Sequence, residues 1–241
     1  REPDMTTTEL AEELFEQTGL NVDRTTVGRA LRKLGYTRKK TVAASEQQTP
    51  RVKALRLKFE EWQAEVDASK LVFIDEAGST TAMARTYARA PRGTRAHDKV
   101  PRNRGQVITM LGALGQDGLV AMGTVNGGTS GDVFVAWFEQ VLVPAIARGT
   151  TVVLDNLGAH RDRRVFELAK KHGLRLKFTP PYSPEFNPIE LAWSKLKQIL
   201  RAARARTREE LDAAIRLAMS HISRRDAVGW IRHCGFSLAQ A

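Results

Sequence analysis

Two short apolar runs constrain this chain more than anything else in it. Leu71-Val72-Phe73-Ile74 closes on Asp75, and Thr151-Val152-Val153-Leu154 closes on Asp155. A run of apolar residues without polar alternation marks a strand covered on both faces, and such strands belong to sheets with helices on either side. Around them the pattern predicts further strands at Tyr87 and its neighbours, at Gln106–Leu114, at Gly118–Val125 after a Gly115–Gly118 turn, and at Arg175–Phe178. Helices are predicted over residues 51–67, 132–147, 162–172, 188–204, 207–221 and 224–232. Hairpin strands followed by alternating strands and helices describe an α/β domain over residues 51–241.

The first fifty residues follow a different pattern. Thr6 and Glu9 form a capping-box signature ahead of Leu10, Ala11, Leu14 and Phe15, which recur at helical spacing up to Gly19. Asp23 is placed to cap a second helix with Val27, Ala30, Leu31 and Leu34 inward and Gly35 as its stop. Two helices joined by a short turn make residues 1–36 a small all-α helix-turn-helix candidate. Its second helix carries Arg24, Thr25, Thr26, Arg29, Arg32 and Lys33, side chains suited to phosphates and base edges. The plainer alternative is a helical hairpin with a solvated basic face. Residues 37–50 are polar, with Arg38, Lys39 and Lys40 at their start and Pro50 at their end, and are expected to be a basic linker along DNA.

Charge narrows the partner. The 241 residues hold 38 basic and 27 acidic side chains, a net +11, with an isoelectric point near 10.1. Such an excess calls for a polyanion or an anionic membrane surface. The longest apolar stretch, Val133 to Ala147, is interrupted by Glu139 and Gln140 and is too short to span a bilayer. No signal peptide is visible, and the start at Arg1 rather than Met predicts that upstream sequence has been removed. A nucleic acid is therefore the expected partner, with no membrane involved, and the helix-turn-helix candidate makes double-stranded DNA the form expected. Basic side chains concentrate at 85–104, with Arg92 and Arg95, and at 195–208, with Lys195, Lys197 and Arg201. The single cysteine, Cys234, excludes a disulfide scaffold and a cysteine-built zinc site.

Asp75 and Asp155 end two buried strands, where open α/β sheets place their ligands. Either aspartate alone is as well explained as a turn residue. Side by side, two carboxylates repel unless a cation lies between them, and their hard oxygens suit Mg²⁺ or Mn²⁺. A third candidate, Glu190, ends Pro180-Pro-Tyr-Ser-Pro-Glu-Phe-Asn-Pro-Ile-Glu. There Asn187 and Glu190 read as N-cap and third helical residue, so a mere capping box competes with a site role. The four prolines stiffen this loop beyond what a cap needs, as delivery of one carboxylate to a fixed place requires. Glu76 is expected on the opposite strand face from Asp75, and Trp193 in the core.

The motifs IDEAG at 74–78, LDNLGAH at 154–160 and PPYSPEFNPIELAWSKLK at 180–197 resemble those of mariner-like DDE transposases, most closely the bacterial insertion-sequence branch. The segment RTTVGRALRKLGY resembles that branch's DNA-binding helices. The resemblance implies an RNase H-like catalytic domain with a mixed five-stranded sheet, and a metal-binding catalytic triad of Asp75, Asp155 and Glu190 holding two Mg²⁺ ions, with Mn²⁺ able to substitute. It implies cut-and-paste transposition: binding to terminal inverted repeats, strand cleavage by water, and transfer of the 3′-hydroxyl into target DNA at TA. Asn156, His160 and Asn187 stand as candidates to order the carboxylates. Pairing two DNA ends implies a homodimer on DNA, in a prokaryotic cytoplasm at the nucleoid. An RNase H-like nuclease or resolvase that cuts without joining, and a catalytically dead DNA-binding regulator, remain the alternatives.

Overall fold

The computed structural model describes residues 4–37, 45–103 and 105–238, and the chain divides into two compact units, Arg1–Ser45 and Glu46–Ala241. In the first unit, α1 (Thr7–Thr18) starts at the capping box: the Thr6 N–H donates to Glu9 Oε2 at 2.6 Å, and the Glu9 N–H to Thr6 Oγ1 at 3.3 Å. Gly19 closes it at φ +71°, a conformation that glycine adopts without steric cost. Helix α2 (Arg24–Lys33) is capped by Asp23, which accepts from the Thr25 N–H at 2.8 Å. Neither helix buries a residue. Of the four apolar positions expected inward on α2, Ala30 and Leu34 are exposed, Leu34 by 72 %. Two short helices supply too little facing surface to cover them.

The second unit begins with α3 (Pro50–Glu65), started by Thr49 as cap and Pro50 at the first turn. Five strands follow: β1 (Leu71–Thr80), β2 (Val107–Gly115), β3 (Gly118–Asn126), β4 (Thr151–Leu154) and β5 (Arg175–Phe178). They pair in the order β3-β2-β1-β4-β5. The β1–β2 and β2–β3 pairs are antiparallel, while β1–β4 and β4–β5 are parallel, so the sheet is mixed. Strand alternation sorts side chains to two cores. Leu71, Phe73, Ala77, Ile108, Met110 and Val153 meet α3 and the C-terminal helices α7 (Ile189–Ala203), α8 (Arg208–Ser220) and α9 (Arg224–His233). Val72, Ile74, Leu111, Ala113, Val152 and Leu154 meet α6 (Arg163–Lys171) and a helical tract over residues 131–145. That tract is α4 (Gly131–Trp137), a π turn (Phe138–Leu142) and a short α5 (Val143–Ala145). The π turn lies just before Pro144, which has no N–H to continue an α-helical ladder.

Two expectations about the strands fail. Tyr87 lies in irregular chain and is 90 % exposed, so no strand forms there. And β1 does not end at Asp75; it runs on to Thr80. The cause is β2, which pairs with it continuously from Phe73↔Leu114 to Thr80↔Val107. The parallel partner β4 is paired only as far as Phe73↔Val153. Asp75 therefore sits mid-strand, where β1 keeps one neighbour and loses the other. Among the described residues no helix is long and apolar enough to cross a membrane.

Candidate active site

Extending the β1–β4 register by two residues brings Asp75 level with Asp155. Alternation places Asp75 on the face of Leu71 and Phe73, beneath α7. Helix α7 carries Glu190 in its first turn and Trp193 one turn further. The Trp193 indole N–H donates to Asp75 Oδ2 at 3.1 Å. The ring has room because the residue opposite Asp75 on β2 is Gly112: a Cβ there would stand 2.5 Å from the ring carbon Cη2.

Of the three carboxylates, Asp75 feels the charge of both others. Burial pushes the Asp75 carboxyl up, and the Glu190 and Asp155 charges push it further. The Glu76 backbone N–H and the Trp193 N–H only partly offset them, leaving a pKa of about 7 against an ordinary 3.8. Asp155 goes the other way. Burial raises it, but His160 and the Leu157 N–H together bring it below its ordinary value. The Leu157 N–H donates to Asp155 Oδ1 at 3.0 Å, so Asp155 also shapes the turn that follows β4.

His160 is wholly buried and stacks on Phe134 with ring centroids 4.3 Å apart. Its Nδ1 lies 2.5 Å from Asp155 Oδ1 and its Nε2 3.8 Å from Glu76 Oε1. Burial opposes a charged ring, but the Asp155 and Glu76 carboxylates overcome it and hold His160 at about 9, above the ordinary 6.5. Glu76 does face away from Asp75, yet it is not idle: it is the second carboxylate flanking the buried His160 in an Asp155–His160–Glu76 row. Asn156 is engaged elsewhere, donating to the Thr179 carbonyl at 2.6 Å and accepting from Arg161. It ties the end of β4 to the end of β5.

The capping-box explanation of Glu190 does not hold. Helix α7 begins at Ile189 with Pro188 as its cap and no side-chain cap bond. Asn187 is buried, and its Oδ1 has no hydrogen-bond partner. The Glu190 N–H instead donates to the Asn187 backbone carbonyl at 3.2 Å. The loop ahead of α7 is held from α3: Arg56 donates to Ser183 Oγ at 2.6 Å and to Glu185 at 2.5 Å, and lies over the Phe186 ring. Gln47 donates to the Tyr182 carbonyl, and Tyr182 itself is left-handed at φ +56°. Sequence alone does not single out Arg56, sets Glu76 aside as facing away from Asp75 and gives Trp193 only a place in the core. For Trp193 a signal existed, its i, i+3 spacing from Glu190.

The basic candidates distribute unevenly. Arg24, Thr25, Thr26, Arg29, Arg32 and Lys33 are all exposed along α2, although the Thr25 hydroxyl is bound to Asp23 at 2.6 Å. Arg38, Lys39 and Lys40 lie outside the described residues. Arg92 and Arg95 are exposed in irregular chain. Lys197 and Arg201 are half-buried on α7, and Lys195 is drawn into an ion pair with Asp226 at 2.7 Å.

Among the described residues no three carboxylates, imidazoles or thiols converge closely enough to encage an ion. Trp193 holds one oxygen of Asp75, and His160 and Leu157 hold one of Asp155. The donor set still fits a hard divalent cation: all oxygens, with Asp75 raised first by burial and then by the Glu190 and Asp155 charges, whose repulsion a cation would relieve.

A DDE superfamily endonuclease model matches residues 70–212, which contain all three carboxylates. The chain belongs to that family. No single curated protein sequence matches it. Its structure is similar to that of a pre-cleavage Mos1 transpososome, with a TM-score of 0.65, 16 % identity, and coverage of 95 % of this chain and 71 % of that one. A Mos1 transposase paired-end complex with the left transposon end gives 0.66, 17 %, 95 % and 71 %. The Mos1 strand transfer complex gives 0.65, 18 %, 95 % and 70 %. At that identity the likeness is one of fold, and the mixed five-stranded sheet flanked by helices is the RNase H-like fold of DDE transposase catalytic domains.

Proposed function

We propose that this DDE endonuclease is a cut-and-paste DNA transposase of the mariner-like insertion-sequence type. The observation that carries the reading is the place of Asp75, half-buried, level with Asp155 along the β1–β4 register and tied through Trp193 to the helix that bears Glu190, in a chain of the DDE family. Mos1 structures of the same fold are described as paired-end and strand transfer complexes, and as complexes with Mn and with Mg.

Asp75, Asp155 and Glu190 would hold two divalent ions, Mg²⁺ or Mn²⁺. When bound, such ions neutralise a scissile phosphate and stabilise the attacking and leaving oxygens of an in-line displacement. The chain's own residues set the stage. Trp193 and β2 fix Asp75, His160 and the Leu157 N–H fix Asp155, and the Arg56 latch fixes the loop ahead of Glu190. Water cleaves first and frees a 3′-hydroxyl at the transposon end. That hydroxyl then attacks target DNA, at TA, in the same site. In each step one P–O bond forms as another breaks: water leaves a 5′-phosphate on the flanking strand as the 3′-hydroxyl departs, and that hydroxyl then forms a phosphodiester as the target's own 3′-oxygen leaves, so no protein-bound intermediate is needed.

In this reading residues 1–36 recognise the terminal inverted repeats through Arg24, Thr25, Thr26, Arg29, Arg32 and Lys33. Residues 37–50, with Arg38, Lys39 and Lys40, lie along the duplex, and residues 51–241 catalyse. Arg92, Arg95, Lys197 and Arg201 meet phosphates; Lys195 does so only if its pair with Asp226 opens. Two ends require two copies, hence a homodimer on DNA, acting at the nucleoid of a prokaryotic cytoplasm.

The test is a plasmid bearing the gene's flanking DNA ends, incubated with the protein with and without Mg²⁺ beside an Asp155→Asn control. Metal-dependent excision and joining, lost in the control, is expected. Cutting without joining points to the nuclease, and tight binding without cutting under any metal to a dead regulator.

A further inference from the structure

Trp193 is almost wholly buried, and a buried indole needs only some acceptor for its N–H. Here the acceptor is the most perturbed carboxylate of the site, at 3.1 Å. The ring reaches it through a gap at Gly112, the residue directly across the β1–β2 ladder from Asp75. The Ile189 side chain borders the same gap, 3.5 Å from where a Gly112 Cβ would stand. Trp193 also lies three residues after Glu190, close to the same side of one helix. A single ring thus connects the sheet that carries one carboxylate to the helix that carries another.

We propose that Trp193 is a positioning residue for Asp75. Its indole, seated on Gly112, pins Oδ2, fixes the rotation of the carboxylate and holds β1 at a set distance from the Glu190 end of α7. Its substrate-side role is indirect, through the cation that Asp75 and Glu190 would share. This rests on the carboxylate reading of the preceding subsection. A structural indole would serve stability alone; a positioning indole sets how tightly the site takes a cation.

The test titrates the full-length protein with MnCl₂ by calorimetry, without DNA, and then measures Mn²⁺ dependence of strand cleavage. Trp193→Phe keeps an aromatic ring and loses the N–H. It is expected to raise the Mn²⁺ midpoint about tenfold, the scale of a hydrogen bond to a charged group. Cleavage by Trp193→Phe should recover at high Mn²⁺, whereas Asp75→Asn should not recover at any concentration. Gly112→Ala approaches from the other side: it keeps the indole but displaces it, and should weaken Mn²⁺ binding in the same direction even if Trp193→Phe folds poorly. Wild-type Mn²⁺ midpoints in folded Trp193→Phe and Gly112→Ala, with binding lost in Asp75→Asn, would overturn the positioning role while leaving the site intact. Undiminished binding in Asp75→Asn would overturn the carboxylate reading itself, and the proposal with it.

Discussion

Asp75 and His160 both bind a proton more tightly in the folded chain than in the unfolded one, at about 7 against 3.8 and about 9 against 6.5. A folded state that binds more protons loses stability as pH rises. Asp75 thus weakens the fold progressively from pH 4 to 7, and the His160 contribution, complete below pH 6.5, is lost by about pH 9. Thermal unfolding in the absence of divalent metal should therefore give a midpoint that falls from pH 5 to pH 9. Added Mg²⁺ should restore more at pH 8 than at pH 5, where protons compete for Asp75. His160→Ala would leave the half-buried Glu76 without its cation and Asp155 without its pair. A loss of about 2–3 kcal/mol in urea unfolding is expected, at the low end for buried pairs because Asp155 is partly open to water. The Asp75 and Asp155 positions were visible in the sequence because each follows four residues of unbroken strand signal. The strand face of Glu76 and the core place of Trp193 were legible too, but not their partners, His160 and Asp75, which are distant in the chain and are brought to them only by the folded sheet and helix.

Most elements announced themselves through local chemistry. The caps at Thr6, Asp23, Thr49 and Thr207 start helices where such residues should, and the two glycines flanking residues 116–117 turn the β2–β3 hairpin. What stayed hidden was non-local. The second half of β1, Glu76-Ala-Gly-Ser-Thr80, has little strand character alone and exists because β2 pairs with it. The Pro180–Asn187 segment looked self-stiffened by its prolines, but its hold comes also from α3. Replacing Arg56 by Ala removes contacts to Ser183, Glu185 and the Phe186 ring together. A stability loss of about 1–3 kcal/mol is expected for such a partly buried, multiply bonded guanidinium, with a larger fractional loss of strand cleavage than of DNA binding. Arg56→Lys should recover little of it, because an ammonium has no planar face to lay over the Phe186 ring while it bonds Ser183 and Glu185. Equal loss of cleavage and DNA binding in Arg56→Ala would deny the loop its role in presenting Glu190.

Charge and cohesion belong to the whole molecule. Residues 46–241 supply ten of the eleven net positive charges, so this unit should bind DNA generically and with a steep salt dependence. A fragment spanning 46–241 should unfold cooperatively near the full-length midpoint and keep that salt-sensitive binding, while losing preference for transposon ends; retained preference in a filter-binding competition would place recognition elsewhere. The sheet itself has a seam. On one side of β1 lies an antiparallel hairpin, on the other a parallel pair, and the three carboxylates come from the seam strand, from the chain leaving β4 and from the start of α7. An ion gripped by all three would be a non-covalent staple, closing loops that the backbone leaves open. Its hold on the fold would grow with concentration, by about 2.7 kcal/mol at a hundredfold excess over the dissociation constant. A chain of this kind would arrive at its chemistry and its full rigidity at the same moment, when the cation binds.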